Sequence, residues 1–330
     1  MARPDDSQQM RVGIGQLRDP SRDQLCFIRQ LGVRDVIFNF AGRASDVPLS
    51  GDSSWDVQEL VQLRNRVEDA GLRLAAIENV PLDFYEDIML GGDECEDQLR
   101  GMAETVRNLG RADIPILGYN WMPNLVWSSS RTYPVRGGAE ARAYDHEQLK
   151  HAPLTHDREF SEAELWKNYE QFLEHIIPVA EEAGVTMCVH PDDPPVTSLG
   201  GIPRLFRNFD NYKRAMNIVD SPNHGVEFGL GVFSEMGEDV IEVIEYFGER
   251  DEITYIHFRD VAGTVPRFHE TFLDEAESNY DEWDVLQTLD QVGFSGVMIP
   301  DHVPTMSCED SWAAGRGYTV GYLKGMLKAL

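Results

Sequence analysis

Three of the nine histidines stand where a β-run would end: His190 in VTMCVHP, His257 in ITYIHFRD and His302 in GVMIPDH. Two carboxylates keep them company, Glu227 in GVEFGLG and Asp301 directly before His302. Imidazole and carboxylate are the donors that hold a divalent cation. A His/His/Asp set with an added Glu is hard to borderline, which favours Mn²⁺, Fe²⁺ or Mg²⁺ over a structural zinc. Each residue alone has a plainer reading. A strand-end histidine can be simply hydrogen-bonded, and Asp301 could cap the turn that follows it. Equivalent positions on neighbouring strands point instead to one ion bound by His190, His257 and Asp301, with Glu227 as fourth ligand. Side chains alternate along a strand, so Cys188 and His190, Glu227 and Gly229, Tyr255, His257 and Arg259, and Ile299 and Asp301 would each share an inward parity. His302 breaks that parity. It serves the same site only if the strand ends at Asp301 and the backbone turns there, as Pro304 suggests, and it is then placed to act as a general base.

Around His190 the sequence reads HPDDPP, followed by LGGIPR. The acids Asp192 and Asp193 could orient the imidazole from behind. The paired glycines permit close backbone approach, and Arg204 could clamp a substrate carboxylate with two parallel hydrogen bonds. Arg259, two residues beyond His257, is a second candidate for that role.

These residues need a scaffold that brings many strand ends together. Short β-branched runs at 10–15, 33–40, 72–79, 114–121, 185–191, 225–231, 253–260 and 296–302 alternate with helical patterns. The helices read as 21–31, 55–70, 95–110, 161–183, 203–217, 234–248, 281–292 and 311–329, several stopping at Gly71, Gly110, Gly184 or Gly293 as C-terminal caps. Eight strands each followed by a helix is the arithmetic of an α/β protein of the (β/α)8 TIM-barrel type, with active sites at the carboxyl ends of the strands. MRVGIGQL lacks the third glycine of a dinucleotide-binding turn. The chain reads as one barrel domain over 1–330, with a long loop insertion after strand 4. Residues 120–160 lack clear periodicity, and Trp121, Trp127 and Tyr133 argue that this segment packs over the barrel mouth.

Composition narrows the partners. The chain of 330 residues has 57 Asp+Glu against 29 Lys+Arg, a net charge of −28. Such a surface repels phosphate backbones, so no nucleic-acid partner is expected. No apolar run approaches the roughly 20 residues of a membrane helix. MARPDDSQQM shows no apolar leader, so a cytoplasmic location is expected. Only five of the basic residues are Lys (150, 167, 213, 324 and 328). Abundant acid with scarce lysine suggests a halophilic protein, its self-repulsion screened by salt. Cys26, Cys95, Cys188 and Cys308 form no metal or disulfide pattern, and each reads as a small buried apolar group. The sequence leaves a homo-oligomer open.

Taken in order, AAIENVPL with EDIMLG, GYNWMPNLVW, HPDDPP with LGGIPR, SPNHG, IHFRDV and PDH resemble the mannonate dehydratase family, from about residue 70 to the C-terminus. The resemblance implies a metal-dependent TIM barrel of the xylose-isomerase-like type that converts D-mannonate, a small sugar acid, to 2-keto-3-deoxy-D-gluconate and water. It carries the family's metal-binding histidine onto His190, its strand-seven histidine onto His257, its metal-binding aspartate onto Asp301 and its acid/base histidine onto His302. Mn²⁺ or Fe²⁺ is the cofactor expected, and Asn120 joins Arg204 and Arg259 as a substrate-binding candidate. The chain departs from the family in three places. Gly229 stands in place of a cysteine ligand. Glu227, about 7 Å deeper on the same face, could reach the ion instead, while Cys188 is equally deep with a shorter arm. The family's Pro-Gly-Tyr loop after PDH is missing, which leaves Tyr318, in an otherwise helical stretch, as the tyrosine candidate for catalysis. RVGIGQL also replaces the family's RWYG-like opening. Two other readings stay open: a metal-dependent sugar isomerase or epimerase on the same barrel, and a non-catalytic sugar-acid-binding protein.

Overall fold

The structure is a computed structural model that describes residues 9–51 and 53–330. Its strands are β1 (Arg11–Val12), β2 (Ile14–Leu17), β3 (Asp35–Asn39), β4 (Arg73–Glu78), β5 (Ile116–Tyr119), β6 (Ser130–Pro134), β7 (Glu140–Asp145), β8 (Thr186–Val189), β9 (Ser198–Leu199), β10 (Ile202–Pro203), β11 (His224–Gly229), β12 (Ile253–Phe258), β13 (Asp260–Thr264), β14 (Arg267–Thr271) and β15 (Val297–Pro300). One sheet runs in the order β1-β15-β12-β11-β8-β5-β4-β3-β2, with every pairing parallel. β1 and β2 are two halves of one strand, interrupted at Gly13. One half pairs with the last barrel strand and the other with the second, so the sheet returns on itself as an eight-membered barrel.

The helices are α1 (Arg22–Gln30), α2 (Val57–Asp69), α3 (Glu86–Leu90), α4 (Cys95–Arg111), α5 (His146–Leu149), α6 (Glu162–Ala183), α7 (Phe209–Met216), α8 (Leu230–Glu235), α9 (Val240–Gly248), α10 (Glu282–Gln291) and α11 (Ser311–Leu327). Local chemistry sets their ends. Ser21 and Ser161 each close a reciprocal cap with the Gln or Glu three residues on, and Gly184 ends α6 in the left-handed region at φ 67°. Gly110 does not cap. It lies inside α4, where a Cβ would run into the backbone of Ala183 on α6, so its role is close helix packing. Two helices differ from the sequence pattern. Residues 202–208 form β10 and a turn before α7, and the stretch 234–248 divides into α8 and α9 at Gly237.

The insertion after β5 has its own order. β6 and β7 form a hairpin, and β7 pairs with β14, giving a second sheet in the order β13-β14-β7-β6. β6 is exposed along almost its whole length and so carries no apolar face, which explains the irregular look of this part of 120–160. Trp121 is buried against Tyr169 and Phe172, whereas Tyr133 is 40% exposed and stacks on His269. The barrel interior below the site is filled by Ile37, Ala75, Ala76, Cys188, Tyr255, Val297 and Ile299. Of the four thiols only Cys188 is fully buried; Cys26 and Cys308 are exposed because they lie on the outer face of α1 and in the loop before α11.

Candidate metal and active site

Strand register does the positioning. β8, β11, β12 and β15 are neighbours in the barrel, and Gly229 pairs with His257 while Glu227 pairs with Tyr255. Glu227 therefore sits deeper than His257, as parity requires, and its longer side chain reaches up. One donor atom each from His190, Glu227 and His257 lies within 4.8 Å of the other two. His257 Nε2 is 3.1 Å from Glu227 Oε1 and its Nδ1 is 3.8 Å from Asp301 Oδ1. Across the barrel, Glu78 at the end of β4 accepts from His257 Nε2 at 2.9 Å and from Asn39 Nδ2 at 2.5 Å.

The space for Glu227 is made by glycine. A Cβ on Gly118 would strike both the Glu227 carboxylate and the Tyr255 hydroxyl, and a Cβ on Gly229 would lie 3.3 Å from His190 Nε2. Position 229 thus opens on the same centre as Glu227.

These residues fit a divalent cation. Both Glu227 oxygens and His257 Nδ1 are buried without a hydrogen-bond partner among the described residues. That is a costly state for polar atoms unless something binds them. His190 Nδ1 donates to the Pro191 carbonyl at 2.6 Å, which leaves Nε2 as the donor lone pair facing inward. The electrostatics agree. Burial, with Glu78 nearby, drives the Glu227 pKa well up. Burial and the neighbouring His257 depress His190 to about 3, so it is neutral and able to ligate. His257 is buried too, but Glu78, Asp301 and Glu227 outweigh that and hold its pKa at about 10. Glu227 and His257 are thus both pushed towards their protonated forms, and a cation bound by them would displace those protons.

His302 stands beside Asp301 because the chain leaves the sheet after Pro300. Its Nδ1 lies 2.6 Å from Glu270 Oε1 and 2.7 Å from Arg259 Nη1, and its Nε2 lies 3.6 Å from Asp301 Oδ1; the tautomer that donates from Nδ1 to Glu270 has its lone pair on Nε2. Glu270 is itself held by Arg259 Nη1 at 2.9 Å. His302, His190, His257 and Asp301 line one cavity of about 290 Å³ at the carboxyl ends of the strands, together with Asn120, Asn79 and Glu78. Asn120 is fixed there, donating to Asn79 Oδ1 at 2.7 Å and accepting from the Met122 amide.

Four expectations are corrected. Tyr318 is absent from the cavity lining; on α11 it packs edge-on against Phe272 and lies by Arg136 and Asp274. Arg204 is fully buried, 3.6 Å from Asp192 and donating to the Leu125 carbonyl, so it braces the loop and faces no substrate. Arg259 is also buried and already pairs with Asp193, Glu235 and Glu270, with Asp301 at 3.5 Å, so it has no fork left for a substrate carboxylate. Neither Asp192 nor Asp193 orients His190; the Pro191 carbonyl does. Sequence reasoning missed Glu78, although its place at the end of a strand was a usable signal. It also missed Arg18, Arg131 and Arg142, which line the cavity, and Gln16, whose Nε2 donates to Asp301 Oδ1 at 2.7 Å.

Fold and site together define a (β/α)8 barrel with a histidine–carboxylate centre under a polar pocket. The particular family follows from comparison with known proteins. The model of the D-mannonate dehydratase (UxuA) family matches residues 18–156 and 151–330, and the chain belongs to that family. It is similar to the mannonate dehydratase of Thermotoga neapolitana, 32% identical over 83% of this chain and 84% of the relative. Mannonate dehydratase 2 of Halalkalibacterium halodurans is 31% identical over 89% of this chain and 90% of its own. Among solved structures, the mannonate dehydratase of Streptococcus suis serotype 2 superposes with a TM-score of 0.85 at 27% identity, covering 98% of this chain and 93% of that one. An L-ribulose 3-epimerase shares the fold at a TM-score of 0.60 and 13% identity.

Proposed function

We propose that the protein is a hydro-lyase that dehydrates D-mannonate to 2-keto-3-deoxy-D-gluconate. The observation that carries this is one cavity, in a chain of this family, lined by His190, His257, Asp301 and His302, with Glu227 3.1 Å from His257 and Glu270 2.6 Å from His302 Nδ1. The four clustered residues would hold Mn²⁺ or Fe²⁺, the ions their donor set suits. A cation there would supply a Lewis acid, easing loss of a C2 proton whose own pKa lies far above any side chain's.

The chain's residues do the rest. His302 Nε2 takes the C2 proton, while Glu270 fixes the ring and steadies the imidazolium that results. The C2 electron pair forms the C2–C3 double bond as the C3–O bond breaks. The departing hydroxide takes the proton from His302 and leaves as water, and the enol becomes the 2-keto acid by gaining a solvent proton at C3. Asn120 and Asn79 offer the sugar hydroxyls fixed polar partners. The test is incubation of the purified protein with Mn²⁺ and D-mannonate. A stoichiometric 2-keto product is the expected result, and none formed under saturating metal would remove the reading.

A further inference from the structure

Three arginines, Arg18, Arg131 and Arg142, line the cavity. Among the described residues, no carboxylate lies within ion-pair distance of any of them, in a chain with 57 acids to 29 bases. Surface arginines here are mostly paired, as Arg43, Arg64, Arg66 and Arg111 are. Guanidinium groups kept free of acids at a pocket mouth are an unmet demand for an anion.

Arg142 differs from the other two. Arg18 spends a hydrogen on the Ala41 carbonyl, and Arg131 is exposed. The Arg142 Nη1 reaches the His302 ring instead, 3.1 Å from Nε2 and 3.3 Å from Nδ1. The proton that His302 removes sits on the carbon bonded to the carboxylate carbon. A cation touching the base nitrogen is therefore one substrate bond from where the carboxylate must lie. The same sheet delivers two of the partners of His302, the third being Arg259 at 2.7 Å from Nδ1. Arg142 is on β7, Glu270 on β14, and the two strands pair with Ala143 opposite His269.

We propose that Arg142 binds the carboxylate of the sugar acid, exchanging its contact with the His302 ring for that carboxylate. This rests on the dehydratase reading and deepens it: the insertion sheet recognises the acid.

The test compares wild type, Arg142→Leu and Arg142→Lys, each checked for native circular dichroism and metal content. KM and kcat are measured for D-mannonate, and an inhibition constant for the neutral D-mannonamide. Loss of a charge-assisted pair raises KM for D-mannonate about 10- to 100-fold in Arg142→Leu. The amide constant stays within about twofold, since no charge is lost on it. Arg142→Lys recovers most of the KM, because a cation remains. An unchanged KM in Arg142→Leu overturns the proposal. So does an equal rise for acid and amide, which would mark Arg142 as merely structural. Absence of turnover in wild type removes the dehydratase reading, and this one with it.

Discussion

Glu227 reaches the centre of the site because Gly118 leaves it room. His257 is the hinge of the cluster, within 3.1 Å of Glu227, 2.9 Å of Glu78 and 3.8 Å of Asp301. If His257 holds the ion as proposed, replacing it with Ala leaves the buried carboxylates uncompensated, and elemental analysis should find the metal lost. His302→Asn keeps size and polarity but not the basic nitrogen. Metal content should hold while kcat falls by roughly 10² or more, the usual scale for a general base. A His302→Asn enzyme with full turnover would take that residue out of the mechanism. That His190, Glu227, His257 and Asp301 converge was legible in the sequence because strand ends are easily seen and inward parity follows from alternation. The arginines were not. Arg204 and Arg259 look like substrate clamps in a one-dimensional reading, and only the fold shows each buried against acids from other segments.

The second sheet is the element that the sequence pattern concealed. β6 and β7 come from the insertion and β13 and β14 from the hairpin after β12, so residues over a hundred positions apart must meet to form it. Once formed, it sets Glu270 and Arg142 on either side of His302. At its edge Asp260, the first residue of β13, accepts from Ser278 Oγ and the Val261 amide, yet burial lifts its pKa to about 7. On the adjoining α10, burial raises Glu282 to about 8. Both acids are held above their unfolded values, so the folded state keeps protons that the unfolded chain loses from about pH 4 upward. Their contribution to stability is therefore full in acid and is lost as pH rises from about 4 through the folded values. Thermal melts of wild type should show that decline, and Asp260→Asn should flatten it. An unchanged slope in the variant would mean that other groups set it.

At the scale of the whole molecule, the barrel was readable from eight strand–helix units, and its closure through the split first strand was not, because a break at one glycine leaves no periodic trace. No helix among the described residues is long and apolar enough to cross a membrane. The net charge of −28 is spread over that fold. Self-repulsion of this size weakens as ions screen it, so the melting temperature should climb between dilute buffer and molar KCl. A flat profile would mean that the acidic composition is no adaptation to salt, and the scarcity of lysine would need another cause. The central claim is that this barrel removes the C2 proton and expels the C3 hydroxyl. Nuclear magnetic resonance of D-mannonate with the Mn²⁺-loaded protein in deuterium oxide tests it most directly. The account predicts a 2-keto acid whose C3 has lost its hydroxyl and gained deuterium. Deuterium entering at C2 with every hydroxyl retained would contradict it and show an epimerase or isomerase instead.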